Sequence, residues 1–467
     1  MIYLSIDKKV KEKFIYQQIY EEIKKNILIG RIQPNEKLLP KRVLAHQLKV
    51  SLNSVINAYD QLLAEGYIYT LERKGYFAER IQAFVSQEEI LNPLLADLKE
   101  SVTDKSGWIS LSHMTANTSD FPFKEWIRSQ QKAILVHQNE LSEIIHPQGP
   151  YIVRETIARL VAFNRGVICE PEQVVIGDGT ISLIRQLMDI QNKNSVISIE
   201  NPGYQRLYKL LERMKFQVLP VNMDNKGIKI KEIQPSHFVF VTPSHQFPTG
   251  IIMPISRRIE LLNWASEGED RYIVEDDYDS EFKYETDNIP SLQSLDRNQR
   301  VIYIGTFSKT MLPGLRISYM VLPPKLLRIY RHKYADLMQP SNTLNLFALH
   351  YFIESGGYQK HVKRMNSYYE TKRKILIKEL ANRFGDNLQI DNIPAGLHIF
   401  IHIKSNKDYE EIEERARQLR LEIYTMKRFL LTENKQKSGL INLVIGFANL
   451  PEDKIKEAVN RLFQVFH

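Results

Sequence analysis

Residues 301–323 read VIYIGTFSKTMLPGLRISYMVLP, and this stretch decides the fold of most of the chain. Its two ends are apolar runs rich in β-branched and aromatic residues, a pattern typical of buried strands. The loop between them contains Ser308 and Lys309, and Arg316 follows seven residues after the lysine. A lysine between two buried strands is costly unless its amine is bonded, for example to an aldehyde. A Schiff-base lysine, with a hydroxyl and an arginine for a phosphate, is the layout of a pyridoxal phosphate (PLP) site. The alternative is an ordinary loop with one exposed lysine.

The arrangement of an apolar run followed by polar residues recurs four times before this stretch. After the first run, Gly177-Asp178-Gly179-Thr180 leads into a helical pattern over 181–190, which is typical of a phosphate site at a helix N-terminus. Strand patterns that alternate with helical ones predict a mostly parallel sheet, whose carboxyl edge is where ligands bind. The predicted strands are residues 174–176, 196–199, 238–241, 272–274, 301–304 and 317–322.

Two residues directly after the fourth predicted strand suit the ring of PLP. Asp276 would keep the pyridine nitrogen protonated, because a carboxylate stabilises that cation. Tyr278 would donate to the phenolic oxygen of the ring. The alternatives are solvated loop acids for Asp276 and Asp277 and a packing role for Tyr278. Their position between a buried strand and the lysine stretch favours the cofactor site.

The first 80 residues show the pattern of a DNA-binding module. An apolar stripe over 14–28 predicts one helix, and a helix from Pro40 is followed by a turn and a third helix over 52–66. This is a helix-turn-helix, whose second helix enters the major groove, and runs at 68–70 and 76–78 predict the hairpin of a wing. The segment holds 14 Lys/Arg against 9 Asp/Glu, which points modestly to nucleic acid. The alternative is a three-helix interaction module that binds no DNA.

Seven polar or basic side chains of this module are candidates for DNA contacts. Contacts to base edges or phosphates from the start of the third helix are expected from Ser51, Asn53, Ser54 and Asn57. Phosphate contacts are expected from Lys41, Arg42 and Lys74.

Longer motifs resemble one known family. The stretches GDGT, ENPGY, TPSHQFPTG, EDDYDSEF and 301–323 resemble the fold-type I aminotransferase body of the MocR/GabR family of bacterial regulators, and the N-terminal region resembles its GntR-type winged helix. The stretches HPQGPYIVRE, ESGGYQKH and MKRFLLTENK extend the resemblance over nearly the whole chain, and they are especially similar to members that respond to γ-aminobutyrate and PLP. The resemblance implies an α/β chain in three parts. These are a GntR-type winged helix-turn-helix at 1–80, a linker at 81–107, and a PLP-dependent transferase (fold-type I aminotransferase-like) domain with large and small subdomains at 108–467.

The resemblance also implies which residues hold the cofactor and the effector. The expected cofactor-binding residues are Lys309, Asp276, Tyr278, Tyr204, Ser308, Arg316, Gly179, Thr180, Thr306 and His245. His245 is included because the asparagine that supports the phenolic oxygen in true aminotransferases has no clear equivalent in TPSHQFPTG; the alternative is a structural histidine. The expected effector-binding residues are Arg206, Arg428 and His113. The alternatives are a surface position for Arg428 and a structural role for His113.

Two functions are compatible with these motifs. In the first, the protein is a PLP-dependent transcriptional regulator that binds operator DNA as a homodimer. It would sense an amino compound, an ω-amino acid such as γ-aminobutyrate, by internal-to-external aldimine exchange at Lys309. Arginines remote from the amine suit such an effector, because a guanidinium binds a carboxylate bidentately. In the second, the protein is an active aminotransferase with an appended DNA-binding domain. The complete helix-turn-helix favours a sensor rather than an enzyme. A weak transaminase half-reaction is compatible with this interpretation.

Other classes of protein are disfavoured by composition. The single cysteine, Cys169, excludes a disulfide framework and fits a reducing compartment. No apolar run reaches membrane-spanning length, and the first residues form no secretory signal. We therefore expect a cytoplasmic protein without a membrane partner, and we assign no metal ligands.

Overall fold

The computed structural model describes residues 14–81, 94–100, 104–113, 120–284, 289–391, 393–432 and 439–467. The chain divides into two compact units, Met1–Asp104 and Lys105–His467. Much of the linker predicted at 81–107 lies outside the described residues. The sequence at 91–102 is also compatible with a short helix, and the described part of that range contains a 3-10 turn, Ala96–Leu98. No helix among the described residues is both long enough and apolar enough to span a bilayer.

The first unit is a three-helix bundle with a hairpin. Its elements are α1 (Ile15–Leu28), α2 (Lys41–Leu48), α3 (Leu52–Ala64), β1 (Ile68–Leu71) and β2 (Gly75–Ala78), with β1 and β2 antiparallel. The predicted helices and hairpin are confirmed. Ser51 caps α3, since its Oγ accepts a 3.1 Å hydrogen bond from the Ser54 amide.

The core of this unit follows the predicted helical periodicity at most positions. Ile19 and Val55 are completely buried at its centre. The apolar pattern also predicts burial of Phe14 and Leu63, and both predictions are wrong, because Phe14 is 73% exposed and Leu63 is 39% exposed. Phe14 precedes the first turn of α1, and so it lies beyond the apolar stripe that the helix presents to the bundle.

The second unit is an α/β body whose elements alternate along the chain. In order they are β3 (Ile109–Ser110), α4 (Phe123–Val136), α5 (Tyr151–Arg165), β4 (Val174–Gly177), α6 (Thr180–Asp189), β5 (Val196–Asn201), α7 (Gln205–Arg213), β6 (Gln217–Asp224), β7 (Gly227–Ile228), β8 (Phe238–Val241), α8 (Ile255–Ser266), β9 (Tyr272–Asp277), β10 (Val301–Thr306), β11 (Ser318–Val321), α9 (Pro324–Tyr334), α10 (Thr343–Glu354), α11 (Gly357–Phe384), β12 (Leu388–Asp391), β13 (His398–Lys404), α12 (Tyr409–Gln418), β14 (Leu421–Glu422), β15 (Tyr424–Thr425), β16 (Leu440–Gly446) and α13 (Ile455–Phe466).

Eight strands form the large sheet in the order β4-β11-β10-β9-β8-β5-β6-β7. Strands β10, β9, β8, β5 and β6 are parallel neighbours, whereas β11 runs antiparallel to both β10 and β4. The predicted, mostly parallel sheet is therefore confirmed. Both faces are covered: α6, α7 and α9 pack on one, and α4, α5, α10 and α8 pack on the other. Full burial on both faces explains why the central strands are almost continuously apolar.

The small subdomain is built around the four-stranded sheet β12-β13-β16-β15, covered by α11, α12 and α13. The long helical pattern at 358–384 forms α11, a helix of 28 residues. The short strand β3 pairs with β14, so the start of the body is tied to the small subdomain.

The loops after β9 and β10 leave the same edge of the sheet, because these strands are parallel neighbours. The chain turns back into β11 at that edge, which places the Lys309 loop beside the carboxyl end of β9. Gly305 in β10 leaves room for the ring of its partner Tyr319 on β11, since a Cβ there would lie 2.3 Å from the Tyr319 hydroxyl. The polar residues that follow the strands therefore converge at one place.

Candidate functional site

A cavity of about 870 Å³ lies at this edge of the large sheet. Ten of the predicted cofactor and effector residues line it: Lys309, Asp276, Tyr278, Tyr204, Ser308, Arg316, Thr180, Thr306, Arg206 and His113. Three others do not: Gly179, His245 and Arg428.

Lys309 presents its amine to the cavity. Its Nζ donates a 2.5 Å hydrogen bond to the backbone carbonyl of His113. Burial lowers the pKa of Lys309, and the nearby Asp279 carboxylate opposes that shift only in part. A depressed pKa leaves more of the amine neutral, which is the form that attacks an aldehyde.

Asp276 lies near the end of β9, two strand positions beyond Val274. Its Oδ1 atom is buried and has no hydrogen-bond partner within the described chain. Burial, followed by the charges of Asp277, Asp279 and Glu200, raises the pKa of Asp276 to about 7. A buried carboxyl oxygen without a partner is costly, so this position calls for a cationic donor. The protonated nitrogen of a pyridine ring would satisfy it, and the residues present therefore fit PLP.

A second group of residues forms an anion site beside the first turn of α6. Thr180 begins that helix, and no side chain caps its free backbone amides. A side chain at Gly179 would place Cβ 2.0 Å from Nη2 of Arg316, so only glycine allows the guanidinium to approach this turn. Helix amides and an arginine at one point suit a phosphate.

Hydroxyl groups on β10, β11 and the lysine loop complete the anion site. Ser318 Oγ donates to Thr306 Oγ1 over 2.8 Å, and Thr306 Oγ1 lies 3.1 Å from Ser308 Oγ. The amide of Ser308 also donates to Thr306 Oγ1 over 3.2 Å. Thr306 thus orients Ser308 toward the cavity that both residues line.

His245 lies behind the cavity wall rather than in it. Its Nδ1 is 2.9 Å from Asp279 Oδ2 and 3.1 Å from the hydroxyl of Tyr278. The expectation that His245 takes the place of the missing asparagine at the ring is therefore corrected. The structure places it where it orients Tyr278 and Asp279, which do line the cavity.

His245 also belongs to a buried cluster with Asp279 and His398, whose potential ligand atoms lie within 4.8 Å of one another. His398 Nε2 is bonded to the Pro248 carbonyl over 3.0 Å, and His245 is bonded to Asp279. These hydrogen bonds account for the cluster, and we assign it no metal.

Arg428 is not at the cavity. It lies on the 3-10 turn Met426–Phe429, its Nε is 3.4 Å from Glu413 Oε1, and its side chain is 47% exposed. The guanidinium also covers the ring of Tyr424 at 5.1 Å. Glu413 and Tyr424 hold the Arg428 side chain at the surface of the small subdomain, so its expected role toward the effector stays a prediction.

Arg206 and His113 do line the cavity as expected. Arg206 is exposed on the first turn of α7, two residues after Tyr204 at the helix start. His113 is buried among the rings of Phe247, Tyr424 and Phe429, at centroid distances of 5.0, 5.0 and 5.5 Å. Burial, with the charges of Lys309 and Arg206, lowers the pKa of His113 to about 3, so the imidazole is neutral.

Several lining residues were missed from the sequence. Asp279 follows Tyr278 directly, and Phe247 immediately precedes Pro248-Thr249-Gly250, so local motifs held the signal for both. His398 had no such signal, because it reaches the cavity from β13 of the small subdomain. Three basic residues of α6 and α7 were also missed: Arg185, Lys209 and Arg213.

In the first unit, most of the predicted DNA-contacting residues are accessible. Arg42, Asn53, Asn57 and Lys74 are exposed. Ser51 and Ser54 bond to each other through their hydroxyls at 2.8 Å, which engages them in capping α3. Lys41 departs from expectation, because its Nζ bonds to Asp60 over 2.8 Å and lies over the ring of Tyr76. Its charge is partly neutralised within the unit.

Comparison with known families and proteins matches both units. Residues 109–462 match the family Aminotransferase class I and II, and residues 15–77 match Bacterial regulatory proteins, gntR family. The chain is 38% identical over 451 residues to the uncharacterized HTH-type transcriptional regulator YdeL of Bacillus subtilis (strain 168), covering 96% of each chain. It is 29% identical over 480 residues to the probable rhizopine catabolism regulatory protein MocR of Rhizobium meliloti, covering 97% of this chain and 94% of that one.

Among solved structures, the kynurenine aminotransferase of Pyrococcus horikoshii is similar at a TM-score of 0.69 and 22% identity. The match covers 77% of this chain and 91% of that enzyme. At this identity the likeness shows the fold of the body, a fold-type I aminotransferase fold.

Proposed function

We propose a function from the premise that this chain belongs to the MocR-type transcriptional regulators, which join a gntR-family DNA-binding domain to an aminotransferase class I and II body. The protein is a DNA-binding regulator whose cofactor is PLP. The finer proposal is that it binds operator DNA as a homodimer and senses a small ω-amino acid, such as γ-aminobutyrate. The observation that carries the proposal is one cavity holding the Lys309 amine and the unpartnered carboxyl oxygen of Asp276.

Bound PLP supplies an aldehyde that forms a reversible covalent bond to an amine. Lys309 provides the resident amine, and its lowered pKa favours the neutral form. Asp276 holds a proton at the ring nitrogen, and Tyr278 donates to the phenolic oxygen. Tyr204 would border the ring, while Arg316, Ser308 and the start of α6 would bind the phosphate. Each of these roles rests on the position of the side chain around the cavity.

Arg206 is the proposed partner of the effector carboxylate. It shares the cavity with Lys309 and lies two residues after Tyr204, on the first turn of α7. A guanidinium suits a carboxylate bidentately, so an effector with its amine at one end and its carboxylate at the other spans the two residues. Arg428 can join only after leaving Glu413, a change that a movement of the small subdomain would bring about.

The effector acts by differential affinity. If the amine-loaded body favours one arrangement of the dimer, amine binding shifts the population toward that arrangement. DNA affinity then changes, because the two arrangements of the dimer bind DNA with different affinities. With PLP held at this site, Lys309 would be the resident amine that an effector amine replaces, and the freed lysine side chain would start the shift.

A visible absorbance titration of the PLP-loaded protein with 4-aminobutyrate tests the proposal. We expect a saturable spectral change that Arg206→Gln weakens by about 1 kcal/mol, the upper end for an exposed ion pair. Arg128→Gln, an exposed arginine of α4 away from the cavity, is the matched control. A titration identical in Arg206→Gln and the control would remove Arg206 from the effector site.

The second candidate function is aminotransfer. It is favoured by Lys309, whose lowered pKa also suits a proton carrier, and by the aminotransferase fold of the body. A steady-state assay with 4-aminobutyrate and a keto acid separates the two. Sustained turnover above about one per second would favour the enzyme over the sensor.

A further inference from the structure

Four basic side chains surround the outer part of the cavity. Arg206, Lys209 and Arg213 lie at positions i, i+3 and i+7 of α7, and so they share one face of that helix. Arg185 of α6 lies on the same cavity wall. All four are exposed, whereas Lys309 and Asp276 lie deeper at the sheet edge.

None of these four side chains forms an ion pair with any residue that the structure describes. Other arginines of the body show the contrast: Arg165 pairs with Asp277 at 2.7 Å, and Arg257 pairs with Asp224 at 2.8 Å. The nearby acid Glu212 on α7 interacts with Tyr208 instead. Four like charges around one opening repel each other, and a bound anion would relieve that repulsion.

The acids of the cavity do not neutralise this group. The two acidic side chains among the lining residues are Asp276 and Asp279. Asp279 is bonded to His245, and Asp276 faces the position of the cofactor ring. We call the cavity opening lined by Arg206, Lys209, Arg213 and Arg185 the mouth. Its positive charge is therefore available to a ligand whose other end reaches Lys309.

One carboxylate engages one guanidinium fork, so γ-aminobutyrate would use Arg206 and leave three cations unmatched. Building on the proposed function, we infer that the effector is an amine whose far end carries two or more negative charges, as a phosphonate or a pair of carboxylates does. Arg206 holds the first charge, and Lys209, Arg213 and Arg185 hold the rest. The mouth thus selects for total negative charge, while Lys309 selects for the amine.

The test compares two amines of similar length on the PLP-loaded full chain at pH 8. These are 4-aminobutyrate, with one negative charge at its far end, and 3-aminopropylphosphonate, with up to two. Absorbance titration is expected to give a Kd at least about fivefold lower for the phosphonate. The preference should shrink as salt rises from 50 to 500 mM, because exposed charges are screened.

Each of three single variants is expected to raise the Kd of the phosphonate by about fivefold and that of 4-aminobutyrate by less than twofold. The variants are Lys209→Gln, Arg213→Gln and Arg185→Gln. Arg328→Gln on α9, an exposed helical arginine outside the cavity, is the matched control and should change neither. Equal Kd values for the two amines, with no selective effect of the three variants, would overturn the inference. The proposed function would stand if both amines still changed the spectrum.

A second probe tests anion binding by the basic side chains of the mouth, independently of any reaction of an amine at Lys309. Propane-1,2,3-tricarboxylate has no amine, and calorimetry should detect its binding to the wild type and a loss of at least about tenfold in the Lys209→Gln, Arg213→Gln double variant. If no amine changed the spectrum but this pattern held, the proposed sensing would fail while the polyanion site remained. No binding of the tricarboxylate at 50 mM salt would contradict the site itself.

Discussion

At the residue scale, the account depends on the Lys309 amine. Lys309→Ala is expected to abolish the protein–PLP adduct that borohydride reduces, because Lys309 is the lysine that lines the cofactor end of the cavity. PLP should still bind through Asp276, Ser308 and Arg316, with lower affinity. Mass spectrometry after borohydride reduction is the measurement. A reduced adduct of unchanged yield in the variant would place the covalent link on another lysine.

Asp276 predicts a pH effect on the cofactor-free protein. Burial raises the pKa of Asp276 to about 7, above its ordinary value near 4, so the folded chain keeps this proton to higher pH than the unfolded chain does. The raised pKa destabilises the folded chain, and this loss of stability is absent below about pH 4, where both states are protonated. It grows as pH rises toward 7 and is constant above that. Asp276→Asn removes this loss of stability.

The gain in Tm of the cofactor-free Asp276→Asn variant over the wild type should therefore increase from pH 4 to pH 7 and then level off. Differential scanning calorimetry across this range measures it. The same variant should bind PLP more weakly, since an amide cannot stabilise a protonated ring nitrogen as a carboxylate does. A gain in Tm that does not vary with pH would show that Asp276 is not held in a costly buried site.

The residues that sequence reasoning located well are those fixed by local position. Lys309 and Asp276 each follow a buried strand, and parallel strands bring such positions to one edge. Arg428 could not be located in this way. Its orientation is set by Glu413, fifteen residues away on another element, and by the ring of Tyr424. His245 was assigned to the ring, yet it lies behind the cavity wall, where it is bonded to Asp279 and Tyr278.

At the element scale, the start of α6 is fitted to the guanidinium of Arg316. Gly179 has φ of +138°, and a Cβ there would lie 2.0 Å from Arg316 Nη2. Gly179→Ala is expected to displace Arg316 and to weaken PLP binding by about ten- to a hundredfold, the scale of a lost charged hydrogen bond. Gly314→Ala is the control, because a Cβ at Gly314 meets no atom within 4 Å. Equal PLP affinity in both variants would separate Gly179 from the phosphate site.

The helix α3 and the hairpin tip make different predictions for DNA. Asn53 is exposed on the first turn of α3, whereas Lys74 is exposed between β1 and β2. Asn53→Ala should weaken a selected operator by about 1–3 kcal/mol and random DNA much less, if it reads a base. Lys74→Ala should weaken both duplexes alike and reduce the salt dependence.

Anisotropy titrations of the full chain at two salt concentrations measure these effects. Lys41→Ala should lower the affinity for DNA less than Lys74→Ala does, since Lys41 is bonded to Asp60. Equal losses on both duplexes for Asn53→Ala would make that residue a backbone contact rather than a base contact. The helix-turn-helix itself followed from helical periodicity, whereas the Lys41–Asp60 pair joins two helices and has no local signature.

At the scale of the whole molecule, the order of units and the mostly parallel sheet followed from alternating strand and helix patterns. The small subdomain was predicted only in outline, because its sheet β12-β13-β16-β15 brings together strands separated by helices and by the residues at 433–438, outside the described chain. The same long-range pairing carries His398 into the cavity. The local sequence around His398 could not predict that this residue lines the cavity.

The central claim is that loading of the PLP site by an amine changes affinity for DNA. The decisive measurement is the Kd of the PLP-loaded full chain for a duplex that it selects from a random pool, with and without a saturating amine that changes its spectrum. We predict a change of at least about fivefold in the wild type and none in Lys309→Ala. A Kd that is the same in the wild type with and without the amine, while the absorbance shows the site to be fully loaded, would contradict the account.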